Sequence, residues 1–106
     1  MATHDFLDNA LAELLDEQAR LTLDELARSC CMAPGWVVER LEAGLLQGEQ
    51  ADGRWQFSSA TVVRARRLAR LESTFDADPH LAALTTDLIE EVTVLRQRLR
   101  RLEARS

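Results

Sequence analysis

The chain has 106 residues, of which 46% are hydrophobic, and this corresponds to one small domain rather than two. Its apolar content is too high for a disordered chain, and its apolar runs are far too short to span a bilayer. The sequence starts without the basic segment and apolar stretch of an export signal. We therefore expect a cytoplasmic protein with no membrane partner.

Cysteine and histidine are too few and too poorly spaced to indicate a disulfide framework or a metal site. Cys30 and Cys31 are adjacent, and neighbouring positions on a helix point about 100° apart, which is a poor geometry for a bond between them. The two histidines, His4 and His80, are not at metal-ligand spacing from this pair. The sequence predicts no bound metal.

Charge is distributed unevenly along the chain, although the net charge is only -5. Residues 1–53 contain eleven acids and three arginines, and residues 54–106 contain ten arginines and seven acids. An acidic surface attracts a basic protein and repels nucleic-acid phosphates, whereas an arginine-rich surface does the opposite. Alternatively, both halves are ordinary solvated helix faces.

The first predicted element is an acidic extension over residues 1–19. Leucines recur at i, i+4, i+7 and i+8 in Leu7, Leu11, Leu14 and Leu15, with acids in the remaining turns. That spacing predicts an amphipathic helix.

A helix-turn-helix is predicted next. Thr22 followed by Glu25 forms a capping box that opens a helix, on which Cys30 is best explained as a small buried residue. Pro34 suits the first turn of a second helix, because its missing N–H would have no partner there. Gly44 can adopt the left-handed conformation at which that helix ends.

A hairpin, or wing, and a third helix follow. Asp52-Gly53 is a strong tight-turn signal, flanked by Leu45-Leu46 and by Trp55-Gln56-Phe57, whose two aromatic rings are expected on one face. Ser58 or Ser59 is expected to cap the next helix. Its predicted core side is Val62, Ala65, Leu68, Ala69 and Phe75, and its predicted polar side is Arg66, Arg67 and Arg70.

The last helix begins near Pro79 and carries a heptad pattern that predicts a homodimeric coiled coil. Leucines occur every seven residues at Leu81, Leu88, Leu95 and Leu102, with Thr85, Val92 and Leu99 between them. The predicted dimerisation residues are Leu88, Val92, Leu95, Leu99 and Leu102. The charges that flank these residues suit a parallel pair of helices, and an antiparallel pair also tolerates them. The alternative is that this apolar row packs onto its own domain. The expected organisation is an extension over 1–19, a core over 20–75 and a dimerisation helix over 76–106.

This layout resembles the MerR-type regulators. The stretch from Leu26-Ala27-Arg28 to Gly44-Leu45-Leu46, with Pro34 opening the second helix, is similar to their helix-turn-helix. The resemblance implies a mainly α fold, a MerR-like winged helix-turn-helix with a small β-hairpin wing and a C-terminal coiled-coil-like helix. The departures lie where DNA readers contact DNA: Cys31 replaces the family's turn glycine, Val38 its arginine, and Glu39-Arg40 its tyrosine pair.

A second resemblance, over roughly residues 20–103, is to the chaperone-modulator family typified by CbpM. Trp55-Gln56-Phe57 and Leu95-Arg96-Gln97-Arg98-Leu99 are similar to that family's motifs. The family inhibits a DnaJ/CbpA-like co-chaperone, so the implied partner is the J-domain, the basic helical hairpin through which the co-chaperone engages Hsp70. We hypothesise binding without catalysis, with Glu39 and Glu42 as acidic contacts.

The alternative hypothesis is a DNA-binding regulator. In that case Arg40, Arg54, Arg66 and Arg70, together with Arg64 and Arg67, would contact phosphates. A pI near 5.0 and the absence of lysine argue against it. An enzyme is a distant third hypothesis, because the sequence contains no phosphate loop, no nucleophile in a histidine context and no cofactor signature.

Overall fold

The structure is a computed structural model that describes residues 20–105, so the extension predicted over residues 1–19 lies outside it. The elements are α1 (Leu23–Ser29), α2 (Pro34–Glu42), β1 (Glu49–Ala51), β2 (Arg54–Gln56), α3 (Ser59–Phe75) and α4 (Pro79–Arg105). The two strands form one antiparallel sheet. The expected mainly α fold with a helix-turn-helix and a small hairpin wing is confirmed.

The start of α1 is fixed by the predicted capping box. The Thr22 backbone N–H donates to Glu25 Oε1 at 2.8 Å, and the Glu25 N–H donates to Thr22 Oγ1 at 3.2 Å. Hydrogen bonds to the Glu25 carboxylate from the Thr22 backbone N–H and, secondarily, from the Thr22 side chain lower the pKa of the Glu25 carboxyl. Pro34 opens α2 as predicted, and the turn before it passes through Cys31, which has a φ of 58°.

The wing turns at Asp52-Gly53, where both residues have positive φ, 54° and 75°. Two consecutive left-handed residues match the right-handed twist of the flanking strands, which explains the tight turn. The first strand begins after Leu45-Leu46, because Leu46 is buried in the core rather than paired. The rings of Trp55 and Phe57 stack with centroids 6.0 Å apart, so their predicted common face is confirmed.

Phe57 connects the wing to the helices. Its ring is fully buried, and its backbone exchanges two hydrogen bonds with Leu21, of 2.9 and 3.0 Å. Gly48 packs against this ring so closely that an added Cβ would lie 2.5 Å from Phe57 Cε1. Side chains from α1, α2 and α3 surround it to form the core: Leu26, Val37, Val62, Ala65 and Leu68.

Two predictions for α3 are wrong. Arg67, expected on a polar side, has only 6% of its surface exposed, and Phe75, expected in the core, is 58% exposed. The reason for the first is that α3 packs against α1 on one side and α4 on another, so that little of its circumference remains polar. The reason for the second is that Phe75 is the last residue of α3, and Asp76 then turns the chain with a φ of 50°.

The first part of α4 packs on α3 through small side chains. Ala82, Ala83 and Thr86 are buried there, and small residues let two helices approach closely. Arg64 of α3 then clamps the pair, because its Nη1 donates to Asp87 Oδ1 at 2.8 Å and to Glu90 Oε1 at 3.1 Å. Burial opposes the charged form of Arg64, but these carboxylates outweigh it and raise its pKa. Beyond this clamp, residues 94–105 are exposed all round, and α4 projects from the domain.

Removal of the cap on α1 tests its contribution. We expect Thr22→Ala to lower the free energy of unfolding at neutral pH by about 1 kcal/mol, as measured by urea denaturation. Because the pKa of Glu25 is lower in the folded state, its contribution is present above its unfolded pKa and is lost as pH falls through the folded value. Alanine keeps the backbone N–H that is the main cause of this shift and removes only the side-chain contribution, so the difference between wild type and variant should shrink only slightly on acidification.

Thr74→Ala, at an exposed position near the end of α3, is the control for Thr22→Ala. It should change the free energy of unfolding by less than about 0.5 kcal/mol at either pH. An equal effect of the two substitutions would contradict the role of the capping box.

Candidate partner-binding surface

Helix α2 is held onto α3 by one carboxylate. Arg40 donates from Nε to Glu72 Oε2 at 3.0 Å and from Nη2 to Glu72 Oε1 at 2.6 Å, and Trp36 Nε1 donates to the same Oε1 at 2.9 Å. A two-pronged guanidinium–carboxylate contact fixes orientation as well as distance. Val37, on the same helix, is fully buried in the core. These contacts determine which side of α2 faces outward.

The Arg40–Glu72 pair is largely shielded from water. Each side chain is 11% exposed, and the Arg40 guanidinium also lies over the Trp36 ring, 5.0 Å from its centroid. The hydrogen bonds that Arg40 donates to Glu72 raise the pKa of Arg40, against the opposing effect of burial. The charge of Arg40 is therefore directed at an internal partner.

The opposite side of α2, which we call the acidic face, consists of Gly35, Val38, Glu39 and Glu42. Their spacing of i, i+3, i+4 and i+7 places them on one side of a helix, and all four are exposed. The Glu39 side chain is 72% exposed and lies 3.2 Å from Arg40 Nη1. Since Arg40 is shared between Glu39 and Glu72, the local charge around this face remains negative.

The structure separates the arginines that sequence reasoning grouped as possible phosphate contacts. Arg40 is in the internal pair, and Arg54 is exposed on the wing. Arg66 donates to the Ser29 carbonyl at 3.1 Å, and together with Arg70 it lines a groove of about 250 Å³ at the end of α1. Only Arg66 and Arg70 of this set are brought together.

The predicted dimerisation residues form one exposed row on α4, which we call the apolar stripe. Leu88, Val92, Leu95, Leu99 and Leu102 are 60%, 44%, 50%, 54% and 61% exposed. The stripe lies on the side of α4 opposite Ala82 and Thr86, which are buried. Packing of the stripe onto its own domain, the alternative considered above, is not observed within residues 20–105.

Sequence reasoning missed Glu72. It is the one acid in α3, which also contains four arginines, and that isolation is a signal of a specific partner. The partner itself lies 32 residues earlier in the chain, where periodicity along a helix gives no information.

Within residues 20–105, no helix is long and apolar enough to cross a membrane. The same residues contain no cluster of three or more His, Cys, Asp or Glu that could hold a metal ion.

The described fold corresponds to a known family of regulators. Residues 21–104 match the family model of the MerR HTH family regulatory proteins, and the chain belongs to this family. Among curated proteins it is similar to the chaperone modulatory protein CbpM from three Coxiella burnetii strains, Dugway 5J108-111, RSA 331 / Henzerling II and CbuG_Q212. Each is 25% identical over 91 residues, which cover 85% of this chain and 86% of the relative. These matches support a CbpM-like, MerR-type assignment, and both names point to non-catalytic proteins.

The anchoring of α2 is tested by Glu72→Gln. The amide keeps the shape but leaves the mostly buried Arg40 with only the exposed Glu39 as a compensating charge, so we expect the free energy of unfolding to fall by about 2 kcal/mol. Urea denaturation followed by tryptophan fluorescence measures this change.

The control is Glu90→Gln, which removes a carboxylate from the more exposed contact with Arg64. This substitution should lower the free energy of unfolding by less than about 1 kcal/mol, because solvent screens the contact with Arg64. If the free energy of unfolding falls no more for Glu72→Gln than for Glu90→Gln, the Arg40–Glu72 ion pair does not anchor α2.

Proposed function

We propose that this protein is a chaperone modulator that binds the J-domain of a DnaJ/CbpA-like co-chaperone and inhibits its action on Hsp70, without catalysis. The similarity to proteins named CbpM supports the general class. The observation that carries the specific proposal is the acidic face of α2, because in DNA-reading members of this fold the second helix enters the major groove, between the two phosphate backbones. Here that helix presents Glu39 and Glu42.

Electrostatics support a basic protein as the partner. Two exposed carboxylates on one helix face repel a polyanion, and the net charge of -5 adds to this repulsion. The same charges attract a cationic helix and increase the rate of encounter, an effect that salt weakens. Val38, beside the two glutamates and 36% exposed, offers an apolar contact on the same face.

In this proposal, the protein inhibits the co-chaperone by occupying the surface of the J-domain that binds Hsp70. The J-domain uses its basic surface to engage Hsp70, so a modulator seated there excludes the chaperone by competition. Glu39 and Glu42 are the proposed partner-binding residues, and the fixed orientation of α2 presents them without rearrangement. Preorganisation of this kind reduces the entropic cost of binding.

A MerR-type DNA-binding regulator is the second candidate. Arg66 and Arg70 favour it, because they line one groove and can both face an anion. The internal pairing of Arg40 and the carboxylates on α2 weigh against it.

The double reversal Glu39→Lys/Glu42→Lys tests the acidic face. We expect J-domain affinity, measured by isothermal titration calorimetry, to fall at least about tenfold, because attraction becomes repulsion at both positions. The variant should also fail to suppress the stimulation of Hsp70 ATPase activity by the co-chaperone.

The matched control is Glu49→Lys/Asp24→Lys, which changes the net charge equally at exposed positions on β1 and α1. It should bind the J-domain nearly as well as wild type. Equal loss of J-domain affinity in both variants would contradict the assignment to α2.

A gel shift with the upstream region of the protein's own gene at two salt concentrations decides between the candidates, since steep salt-dependent binding would favour DNA recognition.

We also propose a homodimer formed through the apolar stripe. The charges along α4 favour antiparallel pairing, because its first half carries Asp87, Glu90 and Glu91 and residues 96–105 carry five arginines. Antiparallel helices place each acidic half beside a basic half. The pairs Glu91–Arg96 and Arg98–Glu103 would be satisfied instead by a parallel arrangement.

Adjacent residues on α4 provide a matched test of the dimer. Leu95 lies on the stripe and is 50% exposed, whereas Val94 lies about 100° away and is 43% exposed. Leu95→Glu should weaken self-association at least about tenfold in sedimentation equilibrium, because it buries a charge between two copies. Val94→Glu should not, and equal effects would contradict the stripe as the interface.

A further inference from the structure

We infer that the acidic segment of residues 1–19 binds the projecting part of α4, residues 94–105, and competes there with a second copy of the chain. This inference extends the proposed self-association, because both occupants use the apolar stripe. Three observations support it: complementary charge, complementary apolar spacing, and the place at which the segment joins the described structure.

The charges of the two segments are opposite and nearly equal. Residues 94–105 contain five arginines and one glutamate, all exposed. Residues 1–19 contain five acids and no arginine or lysine. The local charges are therefore about +4 and -5, a complementarity that steers and stabilises association.

The apolar residues of the two segments also match in spacing. The projecting part of α4 exposes Leu95, Leu99 and Leu102, at steps of four and three. Residues 1–19 place four leucines on one predicted helix face: Leu7, Leu11, Leu14 and Leu15. Two such stripes pack by interdigitation, which removes both from water. Arg96 and Arg98, on either side of the stripe, are then placed to meet acids of the segment.

The described chain begins near the first turn of α3, at about the level along the α3–α4 pair where α4 leaves the domain. Arg20 lines a cavity with Ser58 and Thr61, at the first turn of α3. One turn further along α3, Arg64 reaches Glu90 of α4. Because α3 and α4 run in opposite directions, the level of Ser58 corresponds to a position about six residues beyond Glu90, close to residue 96.

The length of the segment is sufficient for this contact. As a helix, residues 1–19 would extend about 28 Å, and the twelve projecting residues of α4 extend about 18 Å. The segment therefore starts at the base of the projecting part and is long enough to run along it. Docking within one chain also needs no second molecule, so the effective concentration of residues 1–19 at α4 is high.

Disulfide trapping in the full chain tests the contact. In a Cys31→Ser background, Leu15→Cys is combined with Leu99→Cys on the stripe, or with Gln97→Cys, which lies about 200° away round α4. The Leu99 pair should form a crosslink at monomer mass on non-reducing gels at least about five times faster than the Gln97 pair. Equal rates would overturn the inference, and a Leu15–Leu99 crosslink found only at dimer mass would overturn the own-chain assignment.

Leu95→Cys alone separates failure of this inference from failure of the homodimer. Leu95 lies on the stripe near the midpoint of the antiparallel pairing, where the Leu95 side chains of two copies meet, so the homodimer is contradicted if this variant forms no crosslink at dimer mass at raised protein concentration. Neutralising the five acids of residues 1–19 to amides should tighten self-association at least about fivefold in sedimentation equilibrium. Unchanged self-association would overturn the competition.

Discussion

The presentation of α2 depends on a carboxylate, Glu72, that the neighbouring helix holds inside the domain. Val37 supplies burial, but burial alone would allow α2 to rotate about its own axis. The three hydrogen bonds that Glu72 accepts from Arg40 and Trp36 are directional and restrict that rotation. The same bonds draw the charge of Arg40 inward, so the exposed side of the helix is dominated by Glu39 and Glu42. A single internal pair thus determines both the orientation of the face and the sign of its potential.

Helix α4 also has two sides with different roles: one packs on α3, and the other carries the exposed leucines. Ala82, Ala83 and Thr86 bring it close to α3, and the Arg64 clamp fixes its rotation at the point where it leaves the domain. The leucines are consequently directed away from the domain. Exposed leucines in a continuous row are costly in water, and such rows mark surfaces that another chain covers. The proposals for a second copy and for the acidic segment both follow from this division.

Local signals in the sequence predicted much of the fold. Thr22, Pro34 and Asp52-Gly53 act on the backbone within a few residues of their own positions, so each could be interpreted without knowledge of the rest of the chain. The errors concern tertiary context. Arg67 is buried because α3 is covered on two sides, and one helix's periodicity cannot show how many neighbours it will have.

The candidate site could also be predicted only in part from the sequence. Exposure of Glu39 and Glu42 follows from their position on α2, opposite Val37. The role of Glu72 does not, because the contact with Arg40 spans 32 residues and only folding brings the two together. Sequence therefore indicated which acids face outward, whereas the structure was needed to explain why the adjacent arginine does not cancel them.

The turn between α1 and α2 shows how this scaffold can tolerate changes in surface chemistry. Cys31 adopts a left-handed conformation where the MerR-type pattern has glycine, and a non-glycine residue there costs about 1–2 kcal/mol. The turn nevertheless keeps its geometry, since Leu26, Ala27 and Cys30 on one side and Val37 on the other are buried in one core. Because the core fixes the backbone, exposed positions on α2 can exchange the family's arginine for valine and its tyrosine for glutamate without loss of the fold. The partner is then decided by charge on a surface that contributes little to stability, and this separation allows one architecture to serve both DNA readers and protein binders.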